Sequence, residues 1–137
     1  MFLLFAAAAQ LRAADPAQDV YDLFAMLASR LSDSNVPGFM DGFDKSMPGY
    51  ESFLANITGL CNQSDVQSSL EFVTNDGTDT VRNVSIDWIL QTRDKYDTGI
   101  VTRRRETVKC RVEKVGRHWK VFRLDPQSLF TPPKVTR

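Results

Sequence analysis

Histidine, cysteine and net charge are all scarce in this chain of 137 residues. There is one histidine, His118, and no Gly-x-Ser-x-Gly elbow or phosphate-cradling glycine loop stands near it. The two cysteines, Cys61 and Cys110, have no Cys-x-x-Cys spacing and cannot hold zinc by themselves. No clustering of histidine and carboxylates replaces them, so the sequence implies no metal and no cofactor. Lys plus Arg equal Asp plus Glu at 17 each, which gives no field for nucleic acid or an anionic membrane. Arg103-Arg104-Arg105 is a basic run, but on a strand only Arg103 and Arg105 share a face. Asp94, Glu106 and Glu113 lie close in sequence, and no stacking aromatics interleave, so nucleic-acid binding is excluded as a reading.

Long apolar runs are also missing. Met1 to Ala9 is apolar but too short to cross a bilayer, which takes roughly 20 residues. Small residues follow up to Arg12-Ala13-Ala14, as in the apolar and cleavage regions of a secretory leader, although the usual basic start is lacking. Residues 1–14 therefore read as a signal segment short of its usual basic start, a truncated leader included, and the mature protein as periplasmic or secreted. Beyond that segment no membrane association is expected.

What is present divides into a helical half and a strand half. Asp15-Pro16-Ala17-Gln18 is a helix start: Asp15 caps, Pro16 suits the first helical position, and Gln18 stands where a capping box wants Glu or Gln. Val20, Leu23, Phe24, Leu27, Ala28 and Leu31 then recur at helical spacing. Ser32 to Asn35 ends this helix and caps a short second one around Phe39, Met40 and Phe43, weakened by Gly42. After Ser46-Met47-Pro48-Gly49, the residues Tyr50, Phe53, Leu54, Ile57, Leu60 and Cys61 mark a third. Asn62 to Asp65 reads as a linker.

The strand half runs from Asp65 to Leu124. Val84, Ile86, Trp88 and Leu90 share one face of a strand, while Asn83, Ser85, Asp87 and Gln91 share the other. Val66, Ser68, Leu70 and Phe72 alternate likewise, as do Val108, Cys110 and Val112. Turns are expected at Asn75 to Thr78, Asp94 to Gly99 and Val115 to Arg117. Short connections between successive strands make an antiparallel meander. Thr131-Pro132-Pro133 begins a tail that continues neither a helix nor a central strand. One domain over 15–130 fits the length.

The first helix stripe, the stretch Asp41 to Tyr50 and the closing Gly116-Arg117-His118-Trp119-Lys120-Val121 resemble the superfamily named after nuclear transport factor 2, also called SnoaL-like or ketosteroid-isomerase-like. The resemblance implies an α+β cone: three helices on a curved four-stranded antiparallel sheet, with a pocket at the wide end. It also implies that an exposed sheet face can pair in a homodimer. Members include isomerases, dehydratases, polyketide cyclases, transport factors and binding domains, so the fold does not choose the function. Isomerase-like members place an acid and a tyrosine inside the cone, and dehydratase-like members a histidine and an aspartate. No His–Asp pair is apparent here at such positions.

Alternation puts Arg104 and Glu106 on the same face as Val108 and Cys110. With Trp88 on the inner face and Tyr50 at the start of a helix near the mouth, these four are the candidate pocket lining: Tyr50, Trp88, Arg104 and Glu106. The competing reading makes the aromatics core and pairs Arg104 with Glu106 at an edge. Cys61 and Cys110 are a candidate disulfide in an oxidising compartment, or else two buried thiols. Asn56, Asn62 and Asn83 match the glycosylation acceptor, a short pattern that recurs by accident. The function expected is a non-catalytic exported domain that binds a small apolar molecule or a protein partner. The alternatives are an isomerase or dehydratase using Glu106 and Tyr50, and a dimerisation scaffold. An open cone holding an isolated acid favours the enzyme; a cone filled by Trp88 and Phe72 favours the interaction module.

Overall fold

The computed structural model describes residues 15–133, so the expected leader over 1–14 and the tail beyond 133 lie outside the described residues. Helix α1, Pro16–Ser32, starts as its sequence dictates: Asp15 Oδ1 accepts from the Gln18 backbone N–H at 3.1 Å. Its stripe from Val20 to Leu31 is buried. The short helix α2, Val36–Met40, is capped by Asn35, whose Oδ1 accepts from the Gly38 N–H at 3.0 Å. Gly42 lies beyond α2, not inside it. A Cβ there would come within 2.5 Å of a Leu27 methyl, so its glycine serves close packing on α1. Helix α3, Tyr50–Gln63, follows Gly49, whose φ of 75° is left-handed.

No linker separates helix from sheet. The expected Asn62–Asp65 connection is absent because α3 runs through Gln63 and the first strand begins at Ser64. The strands are β1 Ser64–Gly77, β2 Val81–Asp94, β3 Val101–Val115 and β4 His118–Asp125, in sheet order β1-β2-β3-β4, all antiparallel. Three helices packed on a four-stranded antiparallel meander is the architecture expected. The register pairs Trp88 with Leu70 on one side and with Glu106 on the other. Bulges interrupt β1 near Val73 and the β3–β4 pairing after Arg111, and bulges bend a strand and increase its twist.

The helices cover the inner sheet face. Val84, Ile86, Trp88 and Leu90 of β2 and Val108, Cys110 and Val112 of β3 are buried beneath them. At an edge of the sheet, residues 42–44 run parallel to β4: Val121 N–H donates to Gly42 O at 2.8 Å, and Asp44 N–H to Val121 O at 2.9 Å. This closes part of an edge that would otherwise offer unpaired groups. β4 pairs only with Lys109–Val115, so the other half of β3 has no strand on its outer side among the described residues. There the chain folds back instead. After β4 it forms a 3₁₀ turn, Ser128–Phe130, that buries Leu129 and Phe130.

Candidate functional site

The interior of the cone is occupied by aromatic side chains. Trp88 has no exposed surface and meets Phe130 edge-on at 5.1 Å between ring centroids, Phe24 at 6.1 Å and Phe39 at 6.5 Å. Phe53 packs on Phe130 at 5.3 Å and on Phe43 at 5.0 Å. These are the distances and tilts that aromatic pairs prefer. The Trp88 indole N–H is satisfied by Ser68 Oγ at 2.7 Å, so the ring carries no free donor. Phe72, half-buried, completes the wall by packing against Tyr21 and Phe24.

The turn that carries Phe130 is tied by side-chain hydrogen bonds to two distant parts of the chain. Arg104 Nη1 donates to Leu129 O at 2.8 Å and to Thr131 O at 2.6 Å. Gln127 Nε2 donates to Pro48 O at 2.8 Å, tying the same segment to the approach of α3. Partial burial pulls the Arg104 guanidinium below its ordinary value, but an arginine keeps its charge in proteins.

The four residues expected to line one pocket are therefore distributed. Trp88 is core. Arg104 secures the C-terminal turn, its Nη1 directed at two backbone carbonyls, and makes no ion pair with Glu106. Glu106 is exposed on the half of β3 that β4 does not cover. Tyr50 is half-buried and lines a shallow hollow of about 410 Å³ with Met40, Phe43, Asp44 and Lys120. The structure does not gather these four into a single cavity.

The disulfide expectation is corrected: Cys61 and Cys110 are both free and buried. Cys61 ends α3 beside Ser64, which pairs with Asp94, whereas Cys110 pairs with Val84 and hence lies level with Asn75. That places them at opposite ends of the β1–β2 ladder, far beyond the roughly 7 Å between Cα atoms that a disulfide tolerates. Burial pushes both thiols up, so neither is a ready nucleophile.

Buried polar residues among those described are Ser64, Thr92 and Asp94, at the far end of the ladder. Asp94 Oδ1 accepts from the Tyr96 and Asp97 N–H groups, each at 2.8 Å, and so shapes the β2–β3 turn. Two other carboxylates are held below the usual range. For Asp87, the Thr107 hydroxyl is the main cause and Arg105, at 2.9 Å, the next. For Asp44, the cause is hydrogen bonding from Ser46, side chain first and then backbone. Asp87 sits on the outer sheet face and Asp44 beside β4, so neither faces the cone interior.

An open concavity lies outside the cone. A groove of about 550 Å³ runs between α1 and the β3–β4 hairpin. Asp19, Asp22 and Asp41 line it together with Arg30, Arg117, His118 and Lys120, while Leu23, Met26 and Trp119 supply its apolar surface. Sequence reasoning missed this groove because its two walls are about a hundred residues apart in the chain. It also missed Phe130 as the filling of the cone. The signal for Phe130 was available: an apolar pair, Leu129-Phe130, between the last strand and Pro132-Pro133.

No protein-family model matches the sequence, and no curated protein matches it either. Solved structures do match. A conserved protein from Planctomyces limnophilus DSM 3776 superimposes with a TM-score of 0.71 at 10% identity, over 78% of this chain and 91% of that one. A ketosteroid isomerase-like protein from Erwinia carotovora atroseptica SCRI1043 gives 0.67 at 11% identity, over 82% and 95%. The chain has the nuclear transport factor 2-like fold. A nuclear transport factor 2-like protein of unknown function from Shewanella oneidensis MR-1 is similar too, with a TM-score of 0.61 at 11% identity over 80% and 97%. Identities this low establish the nuclear transport factor 2-like architecture and leave the activity to be argued from the residues.

Proposed function

We propose that this chain is an exported, non-catalytic binding module built on the nuclear transport factor 2-like fold. The observation that carries the reading is the filling of the cone by Trp88, Phe130, Phe39 and Phe53. An isomerase or dehydratase on this fold needs room there for a substrate and a withdrawn acid or base. Here the inner-face arginine, Arg104, is engaged with chain carbonyls, and the inner-face acid, Glu106, stands in water. A ligand or partner is then taken up on the outer surface.

Two measurements test this. Incubation with steroid-like enones and hydroxy-carbonyl compounds is expected to give no turnover. Turnover that Glu106→Gln abolishes would overturn the non-catalytic reading. The export half rests on the apolar start and on the helix cap at Asp15. The mass of the protein recovered from periplasm or medium is expected to fit a mature start near Asp15. An intact Met1 in the cytoplasm would overturn it.

A further inference from the structure

We infer that the groove between α1 and the β3–β4 hairpin binds a small zwitterion with an apolar body, of amino-acid or dipeptide size. This rests on the reading of the chain as a binding module and names where, and what, it binds. The volume, about 550 Å³, lies within the roughly 300–1,000 Å³ of small-molecule sites.

Three features of the groove set the ligand chemistry. The first is an unmade hydrogen bond. Trp119 lines the groove and is 8% exposed, and its indole Nε1 is out of contact with water and has no partner. Buried tryptophan N–H groups usually find an acceptor, so a ligand acceptor that meets this donor through a small shift of the Trp119 ring gains a bond the free protein lacks. The second is apolar surface. Met26 is 39% exposed and faces the groove beside Leu23 and Trp119, which suits a ligand with a hydrophobic body.

The third feature is charge of both signs without ion pairs. Asp19 and Asp22, three apart on one face of α1, are acidic, and Arg30 stands further along the same helix. Arg117 and Lys120 of the hairpin are basic, with Asp41 on their side, next to the segment that pairs with β4. The ion pairs among the described residues lie elsewhere, at Arg105–Asp87, Arg111–Glu113 and Arg123–Asp125. No carboxylate therefore closes on a cation across the groove within 4.0 Å. Local contacts are partial: Asp22 accepts from Gln18 Nε2 at 2.9 Å, and Lys120 also acts on Asp44. Opposed charges held apart favour a ligand that bridges them, with its ammonium toward the aspartates and its carboxylate toward Arg117 and Lys120. A simple anion or a polyanion meets Asp19, Asp22 and Asp41 there, and a simple cation meets Arg30, Arg117 and Lys120.

The test uses the two indole N–H resonances of the ¹⁵N-labelled protein, assigned with Trp119→Phe. Unblocked Leu-Phe dipeptide is the probe, with its N-acetylated, C-amidated form as the control. The expected result is a saturable shift of the Trp119 indole signal while that of Trp88, bonded to Ser68, stays put. Blocking both termini should weaken binding by about tenfold or more. Asp22→Asn and Lys120→Gln should each weaken it several-fold, with the thermal unfolding midpoint unchanged. No Trp119 shift at millimolar dipeptide, or equal affinity for the blocked and unblocked forms, overturns the site. Either result, with no turnover of cone-type substrates, would still leave the binding-module reading standing. A shift of Trp88 in place of Trp119 would put the ligand in the cone and overturn both.

Discussion

The two halves of β3 carry the same alternation and meet different fates. Val108, Cys110 and Val112 are buried, while Glu106, on the same face, is exposed and Arg104 only half-buried. The difference is what lies alongside. β4 pairs with the second half, whereas the first half has only the returning turn Ser128–Phe130 near it. Alternation thus reports which residues share a face, but not whether a neighbour covers that face. Charge suits the uncovered half, where a free edge must resist pairing with other chains.

The comparison is broken most severely by moving a carboxylate two residues along. Val108→Glu puts a charge at a position with no exposed surface, and the protein is expected to lose more than about 4 kcal/mol or fail to fold. Urea unfolding and soluble yield measure this. Next in size is Phe130→Ala, expected to cost about 3–5 kcal/mol, because the ring fills the space over Trp88. The same variant should admit a small aromatic probe, seen as a change in Trp88 fluorescence. Arg104→Ala removes two hydrogen bonds from carbonyls that water can partly reach, so about 1–2 kcal/mol is expected by denaturant unfolding. Glu106→Gln should fall within about 0.5 kcal/mol of the parent, as an exposed substitution does. A loss near that of Phe130→Ala would mean that Glu106 is covered after all.

Much of the fold was legible because one-sided burial leaves a period in the sequence. The α1 stripe and the inner residues of β2 were readable in this way, and so was the Asp15 cap. What was not legible depended on contacts between distant residues. Arg104 was expected to reach a neighbour two residues away, but its partners are carbonyls 25 and 27 residues on. The Asn62–Asp65 linker was expected from its polar residues, yet Ser64 both caps α3 and opens β1. Gly42 looked like a weak helical position, but it lies past the helix, close against the Leu27 side chain across the fold. The groove could not be found from spacing at all, since α1 and the hairpin meet only in three dimensions.

The placement of Phe130 has a consequence for how the protein is made. Synthesis runs from the N-terminus, and segments can begin to fold as they emerge. Every helix and strand that forms the cone precedes Phe130 in the chain. Until the turn after β4 has been added, Trp88 and Phe53 lack the ring that covers them, and the nascent cone presents an apolar opening. This order of events delays closure until the last element arrives. The apolar interior is thus sealed only when the sheet is finished.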